Sequence, residues 1–277
     1  MGVAAIKSND LTDRQFEHIS GMVKELCGIN LHQGKRELVK ARLAKRLRQL
    51  GYTDFDDYIH HLASDDSGGE LIQMLDVIST NLTSFFREAD HFSCFSDNLK
   101  KLSAKGTRRL RVWSAGCSSG EEPYTIAMTI RETLGDLSGW DVRILATDIS
   151  TRVLATARQG VYPQKRFENV PPQIRGRYFD CIQSRPDRIY QAKPEIRQLI
   201  HFARLNLMES WPMRGPFDAI FCRNVMIYFD KPTQEKLVRR YAQLLAPGGN
   251  LFIGHSESLT GIQHKLRYVQ PTVYTCA

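Results

Sequence analysis

Apolar positions in the first quarter of the chain recur every three or four residues, which is the spacing of one helix face. The segment LTDRQFEHISGMVKELCGI predicts a helix that ends at Gly28, and KRELVKARLAKRLRQLG predicts a second helix that ends at Gly51. The residues predicted to face the core are Phe16, Ile19, Val23 and Leu26 in the first helix and Val39, Leu43, Leu47 and Leu50 in the second. Shorter helical patterns follow in FDDYIHHLA and ELIQMLDVIS, separated by the loop SDDSGG. These patterns predict an all-α domain over residues 1–78.

From Leu110 the pattern changes to short apolar runs that alternate with helical stretches. LRVWSAG, VRILATD, LIHFARLNL, FDAIFCRN and NLFIGHSES are typical of strands, whereas EEPYTIAMTIRETLG, STRVLATARQG and KPTQEKLVRRYAQLLAPGG are typical of helices. Pro247, Gly248 and Gly249 are predicted to close the last helix. Strands that alternate with helices indicate parallel pairing through crossover connections. We therefore predict an α/β fold with a doubly wound, mostly parallel, Rossmann-like sheet.

The regular alternation lapses between residues 160 and about 196. There RYFDCIQSRPDRIYQAKPEI predicts two strands separated by turn residues at 184–187, so we expect a small antiparallel β insertion at about 161–202. The domains predicted from these patterns are a helical part over 1–78, a linker and lid helix over 79–105, and an α/β part over 106–277.

Composition and charge narrow the class of protein only slightly. The 277 residues include 38 Lys and Arg against 30 Asp and Glu, a formal net charge of +8, which favours an anionic partner. Hydrophobic residues make up 42% and charged residues 25%, which argues against a disordered or fibrous chain. No apolar run approaches the roughly 18 residues of a membrane span, and the first residues lack a signal-peptide pattern. We expect a cytoplasmic protein that does not insert into membranes.

The six cysteines are far apart, with no C-x-x-C pair and no histidine at ligand spacing. Each is expected to be a reduced thiol that packs as a small apolar side chain. No metal site is predicted.

A loop of small residues follows the first predicted strand. AGCSSGEEP runs from Ala115 to Pro123 into a helix, so a ligand can approach the backbone near Gly116. The loop matches neither G-x-G-x-x-G nor the G-K-[ST] loop of a nucleotide triphosphatase. The second strand ends at Asp148, whose carboxylate can accept hydrogen bonds from the ribose hydroxyls of an adenosine or can cap the helix beginning near Ser150. The glycine loop and Asp148 together favour a cofactor that contains adenosine. They do not distinguish a nicotinamide cofactor from a methyl-sulfonium cofactor.

Five segments in order carry a more specific pattern: NLTSFFRE (81–88), VWSAGCSSGEEPYT (112–125), ATDIS (146–150), FDAIFCRNVMIYFD (217–230) and LLAPGGNLFIGHSES (244–258). Together with the basic helical part, they resemble the chemotaxis receptor methyltransferases, the CheR family, over nearly the whole chain. The resemblance implies a class I methyltransferase fold. It also implies transfer of a methyl group from S-adenosylmethionine to glutamate side chains on the cytoplasmic helices of chemoreceptors, forming glutamyl methyl esters at membrane receptor arrays.

The same resemblance implies which residues form the site. With Gly116 of the loop added, the expected cofactor contacts are Asn81, Thr83, Arg87, Gly116, Glu122, Asp148, Asn206, Leu207, Arg223 and Asn224. The candidate catalytic residues are Arg87 and Tyr228. A glutamate with a pKa near ~4.3 is already anionic at neutral pH, so positioning is the main requirement. A guanidinium fork can hold the carboxylate and a phenol can orient one oxygen, while the segment from Asn81 to Arg87 closes as a lid.

The predicted helix from Lys35 to Arg48 carries seven Lys or Arg against one Glu. A charge run is often only a solvated helix face. In this family, however, the corresponding helix faces the receptor, whose methylation segments are rich in glutamate. The candidate receptor contacts are Arg42, Lys45, Arg46 and Arg48.

The antiparallel insertion bears on a second contact with receptors. In part of the family an equivalent insertion adds a receptor's carboxyl-terminal pentapeptide to its edge strand. The loop at 181–190 here has no glycine and contains Pro186, which cannot donate a hydrogen bond to an added strand. We therefore expect this protein to work without the pentapeptide tether.

Three rival interpretations are weaker. A basic enzyme that uses S-adenosylmethionine can methylate RNA, but amino-methylating enzymes commonly place an N-P-P-Y-like clamp where this chain has Cys222, Arg223 and Asn224. An adenosine-binding fold can instead serve a dehydrogenase. A non-catalytic module can sense the cofactor and dock on receptors. The intact set of candidate site residues argues against it: Arg87, Glu122, Asp148, Asn224 and Tyr228. No nucleic-acid partner is expected.

Overall fold

The computed structural model describes residues 10–65, 68–78 and 81–277. Part of the predicted loop at 64–69 and the predicted boundary at 79 therefore lie outside the described residues. The helical part contains α1 (Asp13–Cys27), α2 (Arg36–Leu50), α3 (Phe55–Ser64) and α4 (Gly69–Ile78). Thr12 begins α1 with a capping box, in which its side chain accepts from the N–H of Gln15 while the Gln15 side chain accepts from the N–H of Thr12.

The core of the helical part contains most of the residues that helical spacing places there. Phe16, Ile19 and Val23 are buried, as are Val39, Leu43 and Leu47 in the second helix. Two predictions are wrong: Leu26 is 43% exposed and Leu50 is 37% exposed. Both lie in the last turn of their helix. In α1 the next residue, Cys27, takes the buried position, since one step along a helix turns the side chain by about 100°.

The segment from Asn81 leads into α5 (Ala89–Ala104), which buries Phe92, Phe95 and Leu99 as predicted. Before this helix, Phe86 and Glu88 take left-handed backbone conformations with φ of 52° and 55°.

Phe85 anchors this segment in the α/β part. Its ring stacks on Phe167 with the ring centroids 4.9 Å apart and meets Tyr162 edge-on at 5.1 Å. The backbone N–H of Phe86 donates to the Thr125 hydroxyl at 3.2 Å. The segment is thereby tied to both the insertion and the helix that follows the glycine loop.

The α/β part is built on a seven-stranded sheet with the spatial order β6-β2-β1-β7-β8-β10-β9. Its strands are β1 (Arg109–Ala115), β2 (Asp141–Asp148), β6 (Ile200–Arg204), β7 (Phe217–Cys222), β8 (Leu245–Ile253), β9 (Arg267–Gln270) and β10 (Val273–Thr275). The first five pair in parallel, and β10 and β9 add an antiparallel hairpin that the sequence patterns did not predict. The helices between the parallel strands include α6 (Glu121–Leu134), α7 (Thr151–Gln159) and α10 (Lys231–Leu244). The doubly wound α/β prediction is confirmed.

Successive residues of the central strands face two different cores. Val112 and Phe221 pack with α5 and α6 on one face of the sheet. Trp113 and Cys222 pack with α10 on the other face. Burial of both faces explains why these strands are continuous apolar runs in the sequence.

The end of α10 differs from the prediction. The helix stops at Leu244, and Pro247 to Gly249 lie inside β8 instead of closing the helix. Phe217 pairs with Leu245, but Ala219 already pairs with Asn250, so the extra residues of β8 form an irregularity in the ladder. Proline and glycine are tolerated in a strand at such a position.

The predicted insertion is a three-stranded antiparallel sheet with the order β3-β5-β4. Its strands are β3 (Val161–Pro163), β4 (Phe179–Gln183) and β5 (Ile189–Ala192), and the short helices α8 (Pro172–Tyr178) and α9 (Pro194–Arg197) accompany them. Strand β4 lies at the edge of this sheet and carries the exposed Cys181.

The chain order makes a switch point between β1 and β7. After β1 the chain builds β2 and β6 on one side, and then returns to place β7 on the other side of β1. Ligands of open α/β sheets bind at the carboxyl ends of strands at such a point. Within the described ranges, we find no helix with the length and apolarity that crossing a membrane requires.

Candidate active site

A cavity opens at this switch point and extends to the helical part of the chain. Every residue predicted to bind the cofactor or to act in catalysis lines it: Asn81, Thr83, Arg87, Gly116, Glu122, Asp148, Asn206, Leu207, Arg223, Asn224 and Tyr228. The helical part supplies the facing wall, with Cys27, Ile29, Leu31, Lys35 and Leu38 among its residues. The structure thus brings together residues that are far apart in sequence, from Cys27 of the helical part to Tyr228 of the α/β part.

The glycine loop is shaped for close approach to its backbone. Gly116 has a φ of 95°, and a Cβ there would lie 2.4 Å from Cγ2 of Val225, so no side chain fits. The N–H groups of Gly116 and Cys117 both donate to the carbonyl of Thr147, at 2.8 and 2.9 Å. Ser118 follows with a φ of 49°. The loop is therefore held against the end of β2, where Asp148 lies.

Asp148 organises both the loop and the next helix. One carboxylate oxygen accepts from the N–H of Ser118 at 2.8 Å, and the other accepts from the N–H of Ser150 at 2.9 Å. The side chain of Ser150, not that of Asp148, caps α7 by accepting from the N–H of Val153. The expectation that Asp148 caps this helix is therefore wrong, whereas each of its oxygens retains a lone pair for a ribose hydroxyl.

A buried charge network crosses the floor of the cavity. The Arg223 side chain is 2% exposed and donates from Nη1 to Glu122 at 3.2 Å and from Nη2 to Glu88 at 3.1 Å. It also donates to the backbone carbonyl of Arg87. The other oxygen of Glu122 accepts from the Ser114 hydroxyl at 2.7 Å. Arg223 thus ties the segment before α5 to the start of α6.

These contacts move the pKa values of the acids in opposite directions. Burial works to raise the pKa of Glu88, but the Arg223 guanidinium and the N–H of His255 hold it below its ordinary value. Burial raises the pKa of Glu122 despite the same guanidinium. Burial also raises the pKa of Asp148, against the two N–H groups that donate to it.

Two acids, Glu88 and Glu257, have roles in the site that the sequence did not predict, although Glu88 lies in FFRE and Glu257 in GHSES. Glu257 is buried and accepts from the N–H groups of Asn224 at 2.9 Å, Ile227 at 3.1 Å and Gly254 at 2.5 Å. Asn224 has a φ of 58°, and its side chain donates to Glu88 at 3.3 Å. The position of the two acids inside the motifs FFRE and GHSES is the signal that could have drawn attention to them.

The two candidate catalytic residues, Arg87 and Tyr228, both line the cavity. Arg87 is partly exposed, donates to the carbonyl of Leu82 at 2.8 Å and lies 4.0 Å from Glu88. The ammonium of Lys35, from the helical part, lies 4.9 Å from the centre of the Tyr228 ring. Burial raises the pKa of Tyr228, and the charges of Arg87 and Arg42 oppose this shift. The phenol therefore stays protonated at neutral pH and can donate a hydrogen bond.

Asn206 lines the cavity, but its carboxamide is already engaged elsewhere. Its nitrogen donates to the carbonyl of Leu26 at 2.7 Å, and its oxygen accepts from the N–H of Met208 at 3.0 Å. Asn206, an expected cofactor contact, thus also joins the two parts of the chain.

The four predicted receptor contacts on α2 do not share one environment. Lys45 and Arg48 are exposed. Arg46 donates to Glu70 at 2.9 Å, in a buried cluster where Tyr58 also donates to Glu70, and Arg42 donates to the carbonyl of Ile78. Helical periodicity turns Arg46 and Arg42 towards α4, a packing that sequence spacing alone does not reveal.

Glu88, His91 and His255 offer ligand atoms within 4.8 Å of one another, close enough for a metal ion. The Glu88 oxygen that lies 3.5 Å from Nδ1 of His91 also accepts from Arg223. Burial, with the Arg223 charge, lowers the pKa of His91 to about 4. Since a fixed cation already occupies this oxygen, we assign no metal to the cluster.

Comparison with known proteins now bears on this site. A family model described as the SAM binding domain of CheR methyltransferases matches residues 81–275, and a second, described as their all-alpha domain, matches residues 14–79. The chain belongs to the CheR methyltransferase family. A chemotaxis protein methyltransferase of Escherichia coli (strain K12) is 43% identical over 266 residues, covering 95% of this chain and 91% of that protein. Chemotaxis protein methyltransferase 2 of Pseudomonas aeruginosa is 44% identical over 269 residues, covering 96% and 94%.

Family membership confirms the resemblance seen in the sequence. The protein is an S-adenosylmethionine-dependent methyltransferase of chemotaxis, so the interpretations as a dehydrogenase and as a non-catalytic module are wrong. The role of each residue around the cavity stays a prediction.

Proposed function

We propose that the protein transfers the methyl group of S-adenosylmethionine to glutamate carboxylates on the cytoplasmic helices of chemoreceptors, forming glutamyl methyl esters. The observation that carries the proposal is the composition of the cavity. Lys35, Arg87 and Tyr228 line the same cavity as the other predicted cofactor residues, so two cations and a phenol face it. Such an arrangement suits an anionic acceptor.

The residues at the switch point fit the cofactor. Gly116 lines the cavity without a side chain, and Asp148 is buried there with lone pairs for two hydroxyls. Glu122 and Arg223 keep each other paired beside them. When bound, the cofactor supplies an electrophilic methyl group on a positively charged sulfur.

The chain's own contribution to the reaction is to position the acceptor. Arg87 holds one carboxylate oxygen through its guanidinium, and Tyr228 donates to an oxygen so that the attacking lone pair points at the methyl carbon. No general base is needed, because a glutamate with a pKa near ~4.3 has no proton to lose at neutral pH. Neither Arg87 nor Tyr228 therefore has to accept a proton during the reaction.

The opening of the cavity also fits an amphipathic helix. Leu82 is 76% exposed and Leu38 is 41% exposed, and the two line the cavity from opposite parts of the chain. Exposed apolar side chains beside cations suit a helix that carries glutamates next to apolar residues. We assign Lys45 and Arg48, which are exposed on α2, to contacts with the part of the receptor helix outside the cavity.

Incubation with methyl-labelled cofactor and receptor-containing membranes tests the proposal. Label should appear on receptors, should be released by mild base as an ester requires, and should be lost when the modified glutamates are replaced by glutamine. The Asp148→Ala variant serves as the matched enzyme control. Base-stable label on RNA would favour the RNA methyltransferase interpretation and would reject the receptor-ester proposal.

We further propose that no pentapeptide tether operates. Edge strand β4 is followed by a loop that contains Pro186, and β4 already departs from a regular ladder with β5 between Cys181 and Gln183. Titration with a receptor carboxyl-terminal pentapeptide ending in an aromatic residue should produce no heat at millimolar concentration. Low-micromolar binding that competes with receptor methylation would contradict this.

A further inference from the structure

A turn of the helical part, Leu26–Asn30, touches the α/β part beside the candidate catalytic residue. Gly28 ends α1 in the left-handed conformation with a φ of 72°. Beyond it, Ile29 forms an antiparallel bridge with Phe229, and the backbone N–H of Asn30 donates to the carbonyl of Tyr228 at 2.7 Å. The turn therefore binds the backbone of the residue whose phenol faces the cavity.

The same turn makes a second contact with the α/β part. The carbonyl of Leu26 accepts from the Asn206 side chain at 2.7 Å. Gly28 faces Met208, and a Cβ on Gly28 would lie 2.6 Å from its sulfur. Ile29 packs against both the helical core and the core around α10. The contact is thus continuous from the segment after β6 to the loop after β7.

The loop after β7 is also held from within its own domain. Glu257 accepts from the N–H groups of Asn224 and Ile227, and the Gln234 side chain donates to the carbonyl of Phe229 at 3.0 Å. Between these points, the carbonyl of Tyr228 is bound from the other part of the chain. The position of the phenol is therefore set jointly by two domains.

We infer that the turn Leu26–Asn30 is a positioning element of the methyl-transfer site, which holds Tyr228 in register with the cofactor side of the cavity. This inference rests on the proposed function, because it takes Tyr228 as the group that orients the acceptor carboxylate. It gives the helical part a role in turnover that is separate from docking through α2. A misplacement of about 1 Å in such a group can cost on the order of a hundredfold in rate.

A matched pair at Asn30 tests the inference. Asn30 is exposed, so Asn30→Ala keeps the backbone donor and serves as the control, whereas Asn30→Pro removes the donor. Ile29 lies in a β-bridge, and an extended residue is compatible with a following proline. We expect Asn30→Pro to lower kcat about tenfold, with the receptor KM and the cofactor Kd each within about twofold of wild type. Equal kcat in both variants, or a loss confined to KM, would overturn the inference.

A second pair separates crowding from backbone strain. Gly28→Ala and Gly51→Ala both place a methyl group on a glycine with positive φ at the end of a helix. At Gly28 the methyl meets Met208, whereas at Gly51 nothing lies within 4 Å. We expect a lower kcat only in Gly28→Ala, and recovery of most of the loss when Met208→Ala is added. Equal losses in the two glycine variants would assign the effect to strain and not to the contact.

The third measurement asks whether the turn acts through the phenol. In a Tyr228→Phe background, Asn30→Pro should lower kcat by less than about twofold, because the group that it positions is gone. Fully additive losses would count against the inference. The wild-type reaction provides the separate check on the proposed function: absence of base-labile label on receptors rejects that function, whereas normal label with unaffected variants rejects only the positioning role.

Discussion

The two walls of the cavity are built from different kinds of side chain. The wall from the α/β part is a network of buried charges, in which Arg223 lies between Glu88 and Glu122. The wall from the helical part is mainly apolar, and Lys35 on it lies over an aromatic ring instead of beside an acid. Buried charges need their partners in fixed positions, whereas an apolar surface with one amphipathic cation accepts several partners. The difference supports a first wall that holds the cofactor in one geometry and a second wall that receives a protein acceptor.

The largest effect is expected where the charge network is broken. Arg223→Ala leaves Glu88 and Glu122 buried without their cation and should lower the free energy of unfolding by about 3–5 kcal/mol. Urea unfolding measures the loss. The control is Arg239→Ala, because Arg239 pairs with Glu235 on the surface and such pairs contribute about 1 kcal/mol at most. Similar losses in the two variants would mean that the network does not stabilise this wall.

Next in size is the effect on turnover at the opening. Arg87→Ala should lower kcat by about a hundredfold and Tyr228→Phe by less, because both groups position the acceptor. Cofactor affinity should change less than kcat in each variant. Arg143→Ala, at an exposed residue of β2, is the control for loss of a cation. If both variants lose affinity and keep the maximal rate, the two groups bind the ground state and the transition state equally well and are not catalytic.

Asp148 tests the cofactor wall directly. Asp148→Ala should weaken cofactor binding by about 1.5–3 kcal/mol, since the ribose loses a charged acceptor. Asp148→Asn should cost less, because one oxygen still accepts from a backbone N–H. Calorimetry measures affinity, and thermal unfolding reports whether the loop is disturbed. Unchanged affinity in a folded Ala variant would remove Asp148 from the site.

The smallest effects concern α2, where the structure divides residues that the sequence treated alike. Lys45→Glu and Arg48→Glu should each weaken receptor binding by about 1 kcal/mol or less, measured as a higher receptor KM, without loss of stability. The wild-type rate of receptor methylation should fall as the salt concentration rises. Arg46→Glu should instead destabilise the protein, because it places a second carboxylate against Glu70. Salt-independent methylation, or normal receptor kinetics in the Lys45 and Arg48 variants, would show that the basic face of α2 does not bind the receptor.

The sequence predicted the parts of this molecule that depend on local order. Alternating apolar runs predicted the sheet, and motifs at strand ends predicted residues that meet at the switch point, because parallel strands bring their carboxyl ends to one edge. Leu26 and Leu50 were assigned to the core wrongly, since periodicity does not say where the facing element ends. The hairpin β9–β10 is short, and strands of three or four residues carry little pattern.

The roles that were missed depend on contacts across the chain. Glu88 binds Arg223, 135 residues away, and Glu257 binds the backbone of Asn224, 33 residues away. An acid that accepts from backbone N–H groups has no particular partner residue type, so no pair of letters marks it. The opposite environments of Lys45 and Arg46 likewise depend on the position of α4.

The exposed thiol of Cys181, on the edge strand of the insertion, offers a natural site for a fluorescent label. Cys181 is exposed on β4, whereas Cys27, Cys117 and Cys222 are buried, and burial raises their pKa values, that of Cys27 to about 12. Thiolates are the reactive form, so an alkylating fluorophore at neutral pH should label Cys181 before these three. A dye attached there would sit beside the strand edge to which a peptide would add. A change in the fluorescence of this dye would report any peptide segment that binds along β4, without a cysteine having to be introduced.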